Sequence, residues 1–469
     1  MDDRRSFLRK GFWMGAAAVA AGCVGGRFPT AAAPVGFAAK PLRRVRVGVV
    51  GLGCRGGMAM DRLPLIPGVE VTALCELDAN LVAKYQDKLT KAGRAKARAF
   101  LGPEAYKAMC DWDGIDVVYN TTPWHLHVPI ALYAMEHGKH VFVEVPAAFT
   151  LEDCWALVET QERTGVHCMQ LENCCYGETE MLALNLCRLG LLGDLVHGEG
   201  AYIHDLRQYN YNAPEDDDGN HFFYADYWRL KWNAVHKGNQ YETHGLGPIC
   251  QYMGINRGDR FDYLVSLESR QANFEAYAKA RFPADDWRAR QKVEMGDMNM
   301  AMIRTVKGRS ILVQHDVSSP RPYNRLNTIT GTKGILTDYP FRLSLIEKQT
   351  DYAHEFFSPE KAEDYRVRYR HPLWKLAGEI AQKVGGHGGM DLLMDLRWAY
   401  CLQNGLPLDQ DVYDLAAWCS LGELTERSVR SRSMPQDVPD FTRGAWMTRA
   451  PLGIETIDPA KMPIEKIGA

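Results

Sequence analysis

Residues 45–57, Val-Arg-Val-Gly-Val-Val-Gly-Leu-Gly-Cys-Arg-Gly-Gly, run from a short β-branched stretch straight into a G-x-G-x-x-G turn at Gly51, Gly53 and Gly56. An apolar run of this length suits a strand buried on both faces of a parallel sheet. Each glycine meets a separate steric demand: Gly51 permits the tight turn, Gly53 lets backbone N–H groups approach a pyrophosphate, and Gly56 lets the next helix lie close to the strand. A second apolar run, Val69–Cys75, ends at Glu76, at the spacing of about 20 residues where a carboxylate binds the two hydroxyls of an adenosine ribose. An acid there repels a 2′-phosphate, so the pattern predicts a dinucleotide site that favours NAD over NADP.

Val45–Val50, Val69–Cys75, Arg98–Leu101, Val117–Asn120, His140–Val143 and Val166–Leu171 read as strands with helical patterns between most of them. That alternation predicts a doubly wound parallel sheet. Past Tyr176 the pattern changes to longer strands at Leu195–Ile203, Phe261–Ser269, Met298–Thr305 and Ser310–Asp316, interspersed with helices such as Leu373–Val384, Leu392–Asn404 and Asp411–Arg427. The expected class is α/β: a leader and linker over 1–40, a Rossmann domain over 41–175, and an α+β domain over 176–469. The last should carry an open, mainly antiparallel sheet that floors a substrate site and serves oligomerisation. A formal net charge of −3 with 24% charged residues gives no reason to expect a nucleic-acid partner. The 12 cysteines show no C-x-x-C or zinc spacing, so buried free thiols and no metal are expected. The polar, aperiodic stretch 214–220 reads as a solvated loop.

At the N-terminus, Arg4-Arg5-Ser6-Phe7-Leu8-Arg9-Lys10 and the short apolar run Gly11–Gly22 follow the order of a twin-arginine signal. The run is too short to span a membrane. Export of the folded protein to the periplasm or cell surface suits a chain that must close around a nucleotide in the cytoplasm. Two processing routes stay open: acylation at Cys23, which alone would bring a membrane contact, and cleavage near Gly36-Phe37-Ala38.

The second informative group lies after the later strands. Asn120-Thr121-Thr122-Pro123-Trp124-His125-Leu126-His127 follows one strand and Glu144-Val145-Pro146 the next, so both lie at the carboxyl edge where open α/β sheets bind ligands. Tyr241 and His244, three residues apart before Gly-Leu-Gly-Pro, can share one face of a helix start. The strand-end landmarks resemble the Gfo/Idh/MocA oxidoreductases, in which the Glu-Val-Pro position is normally Glu-Lys-Pro. Val145 has no proton to donate, which disfavours an ordinary sugar dehydrogenase built on that lysine.

Five longer segments carry a closer resemblance: His137–Ala148, Leu171–Tyr176, Glu199–His204, Trp228–Trp232 and Thr243–Cys250. Together they are similar to glycoside hydrolase family 109, the NAD-dependent α-N-acetylgalactosaminidases. Position by position, the resemblance implies NAD contacts at Cys54, Arg55, Glu76, Trp124, His125, Leu126, His127, Glu144, Val145, Asn173 and Tyr241. For the sugar it implies Tyr202, Arg229, Tyr241, Glu242, Thr243, His244 and Tyr323, with Tyr241 and His244 as catalysts. His204 and Asp205 are left outside the site. Two departures stand out: Cys54 replaces the more usual Asn, and Glu242 makes Tyr-Glu-Thr-His of the usual Tyr-Pro-Thr-His, bringing a possible charge beside the sugar.

The implied reaction oxidises the sugar's C3 hydroxyl, removes the acidified C2 proton, eliminates the C1 group, adds water and restores C3. The division of labour between Tyr241 and His244 stays open at this point. The implied substrate is a glycan or glycoconjugate ending in α-N-acetylgalactosamine. Alternatives are a net sugar oxidoreductase of the Gfo/Idh/MocA type and a related NAD-dependent glycosidase with another sugar.

Overall fold

The computed structural model describes residues 36–211, 224–346, 348 and 352–467. The twin-arginine leader, Cys23 and the acidic stretch 214–220 lie outside them.

Six strands form the first sheet: β1 (Val45–Val50), β2 (Val69–Glu76), β3 (Arg98–Leu101), β4 (Val117–Asn120), β5 (His140–Val143) and β6 (Cys168–Gln170). All pair in parallel, in the order β3-β2-β1-β4-β5-β6. The valines of β1, β4 and β5 are almost wholly buried, as expected for strands covered on both faces. The strand order reverses between β1 and β4, and the crevice above that point is where doubly wound sheets bind ligands. The last strand is shorter than its apolar run, because β5 pairs with it only from Val141↔Cys168 to Val143↔Gln170.

Eight strands form the second sheet: β7 (Leu195–Ile203), β8 (Phe261–Glu268), β9 (Asn299–Thr305), β10 (Ser310–Asp316), β11 (Thr328–Gly331), β12 (Gly334–Thr337), β13 (Arg342–Leu345) and β14 (Gln436–Asp437). Their order is β13-β12-β11-β7-β10-β9-β8-β14, antiparallel except for β7 with β10. One face is covered by the helices Thr243–Met253 and Val412–Arg430. On the other, Tyr263, Leu267, Met300 and Met302 stay exposed. The helix Val412–Arg430 begins one residue later than its apolar pattern, since Asp411 is its cap: the Asp411 carboxylate accepts from Tyr413 and Asp414 N–H groups, and Asp414 reciprocates.

Two glycines fix how the second sheet meets the site. A Cβ on Gly200 of β7 would sit 2.0 Å from Gly245 O, and one on Gly245 would sit 2.3 Å from Ala201 N. Strand and helix therefore touch backbone to backbone, which places the start of Thr243–Met253 beside Tyr202. All 11 described cysteines are free, nine of them buried. Among the described residues, no helix is long and apolar enough to cross a membrane.

Candidate active site

A cavity of about 820 Å³ runs from Glu76 past the glycine turn and the strand-end loops to Tyr202, Arg229, Tyr241 and His244. At its first end Gly51 adopts φ +84°, and a Cβ on Gly56 would fall 1.9 Å from Gly51 O. Gly56 therefore does not line the cavity; it lets the helix Cys54–Arg62 close on the turn. At Gly53 a Cβ would meet nothing within 4 Å, and no side chain caps the helix, so its first N–H groups are open to an anion. Glu76 turns its carboxylate to this point, accepting from Leu52 N at 2.5 Å and Leu77 N at 2.6 Å. An open backbone cradle, a helix N-terminus and an acceptor at the end of β2 fit a dinucleotide.

Midway, Arg55 donates to Glu144 at 2.9 Å and lies 3.5 Å from Asp391. Asp391 also accepts from Asn173 Nδ2 at 2.5 Å, faces His387 Nδ1 at 3.0 Å, and is fully buried. Burial alone would lift its carboxyl; Arg55 first, then His387 and Arg62, hold it far below the usual carboxylate range. Trp124 donates its indole N–H to Val145 O at 3.3 Å. His127 places its two ring nitrogens 2.8 Å from Pro146 O and Thr122 O, so it ties the two strand-end loops together. Burial, opposed by these bonds, lowers its pKa. His125, Leu126 and Val145 line the same stretch, as do Cys54 and Asn173.

The far end is aromatic. Tyr241 stacks over Trp124 with ring centres 6.0 Å apart, and packs on Tyr202 at 4.5 Å. The Arg229 guanidinium lies 4.8 Å from the Trp124 ring centre and 4.7 Å from that of Tyr241, within range of cation–π attraction. It donates to Tyr224 Oη at 2.7 Å, its Nε has no partner, and no carboxylate among the described residues pairs with it. A buried guanidinium with an unused donor is suited to a ligand oxygen. Burial pushes the phenols of Tyr241 and Tyr202 well up, so both keep their protons near neutrality. His244 sits 5.0 Å from Tyr241 and 5.3 Å from Tyr202, ring centre to ring centre.

Not every expected residue reaches the cavity. Glu242 and Thr243 are buried behind its wall, a correction to the expected charge beside the sugar. Burial, then the nearby Glu172 charge, push the Glu242 carboxyl well above its usual range, and one of its oxygens has no partner. Tyr323 stands at the rim, 37% exposed, edge-on to His204 at 5.1 Å, with its hydroxyl accepting from Arg325. Asp205 pairs with Arg207, but His204 does line the cavity; burial and then Arg229 push its pKa down to about 4. Tyr224, Trp228 and His387 also line the cavity, and Glu172 lies behind it, although sequence reasoning singles out none of the four. Trp228 opens the segment Trp228–Trp232, and Gly385-Gly386-His387-Gly388-Gly389, with every residue at positive φ, is a signal visible in sequence. Glu172, Cys174 and His244 bring ligand-type atoms within 4.8 Å; hydrogen bonds join the carboxylate to the imidazole and the thiol to Asn173.

Residues 176–448 match the family described as "Glycosyl hydrolase 109, C-terminal domain", and residues 45–171 match "Oxidoreductase family, NAD-binding Rossmann fold". An "Alpha-N-acetylgalactosaminidase" of Bacteroides fragilis is 47% identical over 88% of this chain and 95% of its own length. A "Glycosyl hydrolase family 109 protein 2" of Shewanella sp. strain ANA-3 is 45% identical over 96% and 99%. In fold, the chain is similar to a levoglucosan dehydrogenase solved with NADH and levoglucosan: TM-score 0.62, 19% identity, 84% of this chain and 100% of that one. With both sheets spanned by these matches, the chain belongs to glycoside hydrolase family 109, built on the Gfo/Idh/MocA oxidoreductase fold.

Proposed function

We propose that this protein hydrolyses terminal α-N-acetylgalactosamine from glycans with NAD held in the cavity and no net redox change. The observation that carries the reading is one continuous cavity joining a dinucleotide cradle to a polar aromatic pocket in which, among the described residues, no pair of carboxylates faces each other. Direct glycosidic displacement uses two such groups. Here Glu144 is engaged by Arg55 and Glu172 lies fully buried behind His244. The name of the Bacteroides fragilis relative supports the choice of sugar.

Gly53, the start of helix Cys54–Arg62, Glu76 and the loop Trp124–His127 would hold the cofactor. When bound, NAD would accept a hydride from the sugar's C3 and return it, leaving the C2 hydrogen acidic in between. Arg229 and Tyr202 would orient oxygens of the ring and acetamido group, with Tyr323 at the rim. Tyr241 and His244 would serve C3 and C2. A neutral phenol suits the C3 oxygen, since a donor aimed at a developing enolate stabilises it most in a dry pocket. Trp124 and Tyr241 wall the pocket against water.

Glu76→Ala is expected to release NAD more readily. A charge-assisted acceptor contributes about 1.5–3 kcal/mol, which corresponds to roughly tenfold to hundredfold in Kd. Mass spectrometry and calorimetry on purified protein measure this; equal NAD retention in mutant and wild type would remove Glu76 from the site. A panel of aryl α- and β-glycosides tests the sugar, and steady accumulation of NADH absorbance during turnover would favour a net oxidoreductase instead.

We also propose export by the twin-arginine route, supported by the order of charges and apolar residues over 4–22. Replacing Arg4→Lys and Arg5→Lys together should trap the protein in the cytoplasm, because that route reads the arginine pair itself. Unchanged export of the double variant on cell fractionation would exclude it.

A further inference from the structure

The imidazole of His244 is held from behind by an acid that the family resemblance does not assign. Glu172 follows β6, is fully buried, and lies 72 residues from its partner in sequence. Its two oxygens stand 2.7 and 3.0 Å from His244 Nδ1, and Oε1 also accepts the Cys174 N–H at 2.9 Å. The backbone carbonyl of Glu172 accepts from Gln410 Nε2 at 2.9 Å, which fixes the residue at a second point. Among the described residues none hydrogen-bonds His244 Nε2, and His244 lines the cavity.

We propose that Glu172 is the positioning residue of the reaction, fixing His244 as the Nδ1–H tautomer so that Nε2 is the acceptor of the C2 proton. The proposal rests on the reaction described above and names the atom that takes the C2 proton in it and the group that holds that atom in place. An ionised carboxylate has lone pairs and no proton to offer, so the nitrogen facing it must carry the hydrogen. Burial alone would favour the neutral acid, but the charge and hydrogen bond of His244, with the Cys174 N–H, hold Glu172 below the usual carboxylate range. The neighbouring thiol competes little: Cys174 directs its Sγ at Asn173 Oδ1, 3.7 Å away. The edges of Tyr202 and Tyr241 bracket the imidazole and limit its rotation.

The step balances without a further reactant. The C2–H bond breaks, its proton forms N–H at Nε2, and its electron pair moves into the C3 carbonyl as an enolate that Tyr241 can face with its O–H. The imidazolium so formed lies against the Glu172 carboxylate, so no unpaired charge is left buried. The N–H at Nε2 faces the cavity and exchanges with solvent, so the imidazolium returns a solvent-derived proton to C2.

Glu172→Gln tests the idea, because a neutral amide of the same shape can face Nδ1 with either its oxygen or its NH2 and no longer dictates the tautomer. With NAD bound, kcat on an aryl α-N-acetylgalactosaminide should fall about 10²-fold or more, within the usual worth of a general base, while KM and NAD retention hold within about twofold. Glu172→Asp should recover part of the loss. Wild-type kcat in Glu172→Gln, or a change confined to KM, overturns the proposal. Nitrogen-15 NMR of histidine-labelled wild-type holoenzyme gives a reading that needs no folded variant: Nδ1 protonated and Nε2 bare is expected, and the reverse overturns it. Wild-type product formed in D₂O without deuterium at C2 overturns the proton-transfer reading itself. Deuterium at C2 together with a fully active Glu172→Gln overturns only the role of Glu172.

Discussion

His244→Ala and Tyr241→Phe are each expected to slow cleavage of an α-N-acetylgalactosaminide by roughly 10²–10⁴-fold, the usual worth of a general acid–base group, with NAD still bound. The separation follows from the cavity's layout. The glycine turn and Glu76 occupy one end, while these two rings stand at the other among Tyr202, Arg229 and Trp124. Neither substitution touches the Gly51–Gly56 contact or the Glu76 carboxylate. Wild-type turnover in D₂O should place deuterium at C2 of the released sugar, since the proton taken there exchanges before it returns. Direct displacement at C1 leaves C2 unlabelled. Mass spectrometry of the product with stopped assays of both variants decides the matter: an unlabelled product, or either variant at the wild-type rate, would mean a different chemistry or a different pair of catalysts.

Asp391→Ala should destabilise the fold by about 3–5 kcal/mol, the range for removing one partner of a buried ion pair. Asp391 is fully buried between Arg55 and Arg62, and it also receives the Asn173 amide and faces His387. Without it, the buried Arg62 keeps only Asp395 as its acid. Asn173 loses the acceptor that orients it toward the cavity, so weaker NAD retention should accompany the loss of stability. The pH dependence has a definite sign. The folded carboxyl titrates below its unfolded value, so its contribution is complete above the unfolded pKa of about 3.9 and declines as pH falls below it. Urea unfolding of both proteins should therefore show the full gap near neutral pH and a narrowing gap in acid. A gap under about 0.5 kcal/mol at pH 7, the range of ordinary surface substitutions, would show that the network relaxes around the missing acid.

The parts of the molecule legible in sequence are those governed by local rules. β1 through β5 announce themselves as short apolar runs, and the glycine spacing carries its own geometry because a Cβ at Gly56 would collide with a carbonyl five residues away. Trp124–His127 and Glu144–Val145 could be placed at the cavity because strand ends on one edge of a parallel sheet must share a crevice. The reading of Glu242 went wrong for an equally local reason: adjacency to Tyr241 and Thr243 in sequence says nothing about which side of a helix start faces the ligand. Glu242 is buried away from the cavity, and His244, two residues on, lines it. His204 carries no local mark of its place in the cavity, because a lone histidine after a strand is as readily a packing residue.

By itself, then, the chain of residues determined the dinucleotide turn, the parallel sheet, the family and some of the aromatic and basic groups that line the cavity, Trp124, Tyr202, Arg229, Tyr241 and His244 among them. Only the tertiary structure decided which groups act on which. Glu172 meets His244 across 72 residues, Asn173 meets Asp391 across 218, and Arg55 meets His387 across 332. Hydrogen bonds and ion pairs act over a few ångströms and are indifferent to chain separation. The tautomer of an imidazole and the ionisation of a buried acid are therefore set by neighbours that folding brings in from other elements.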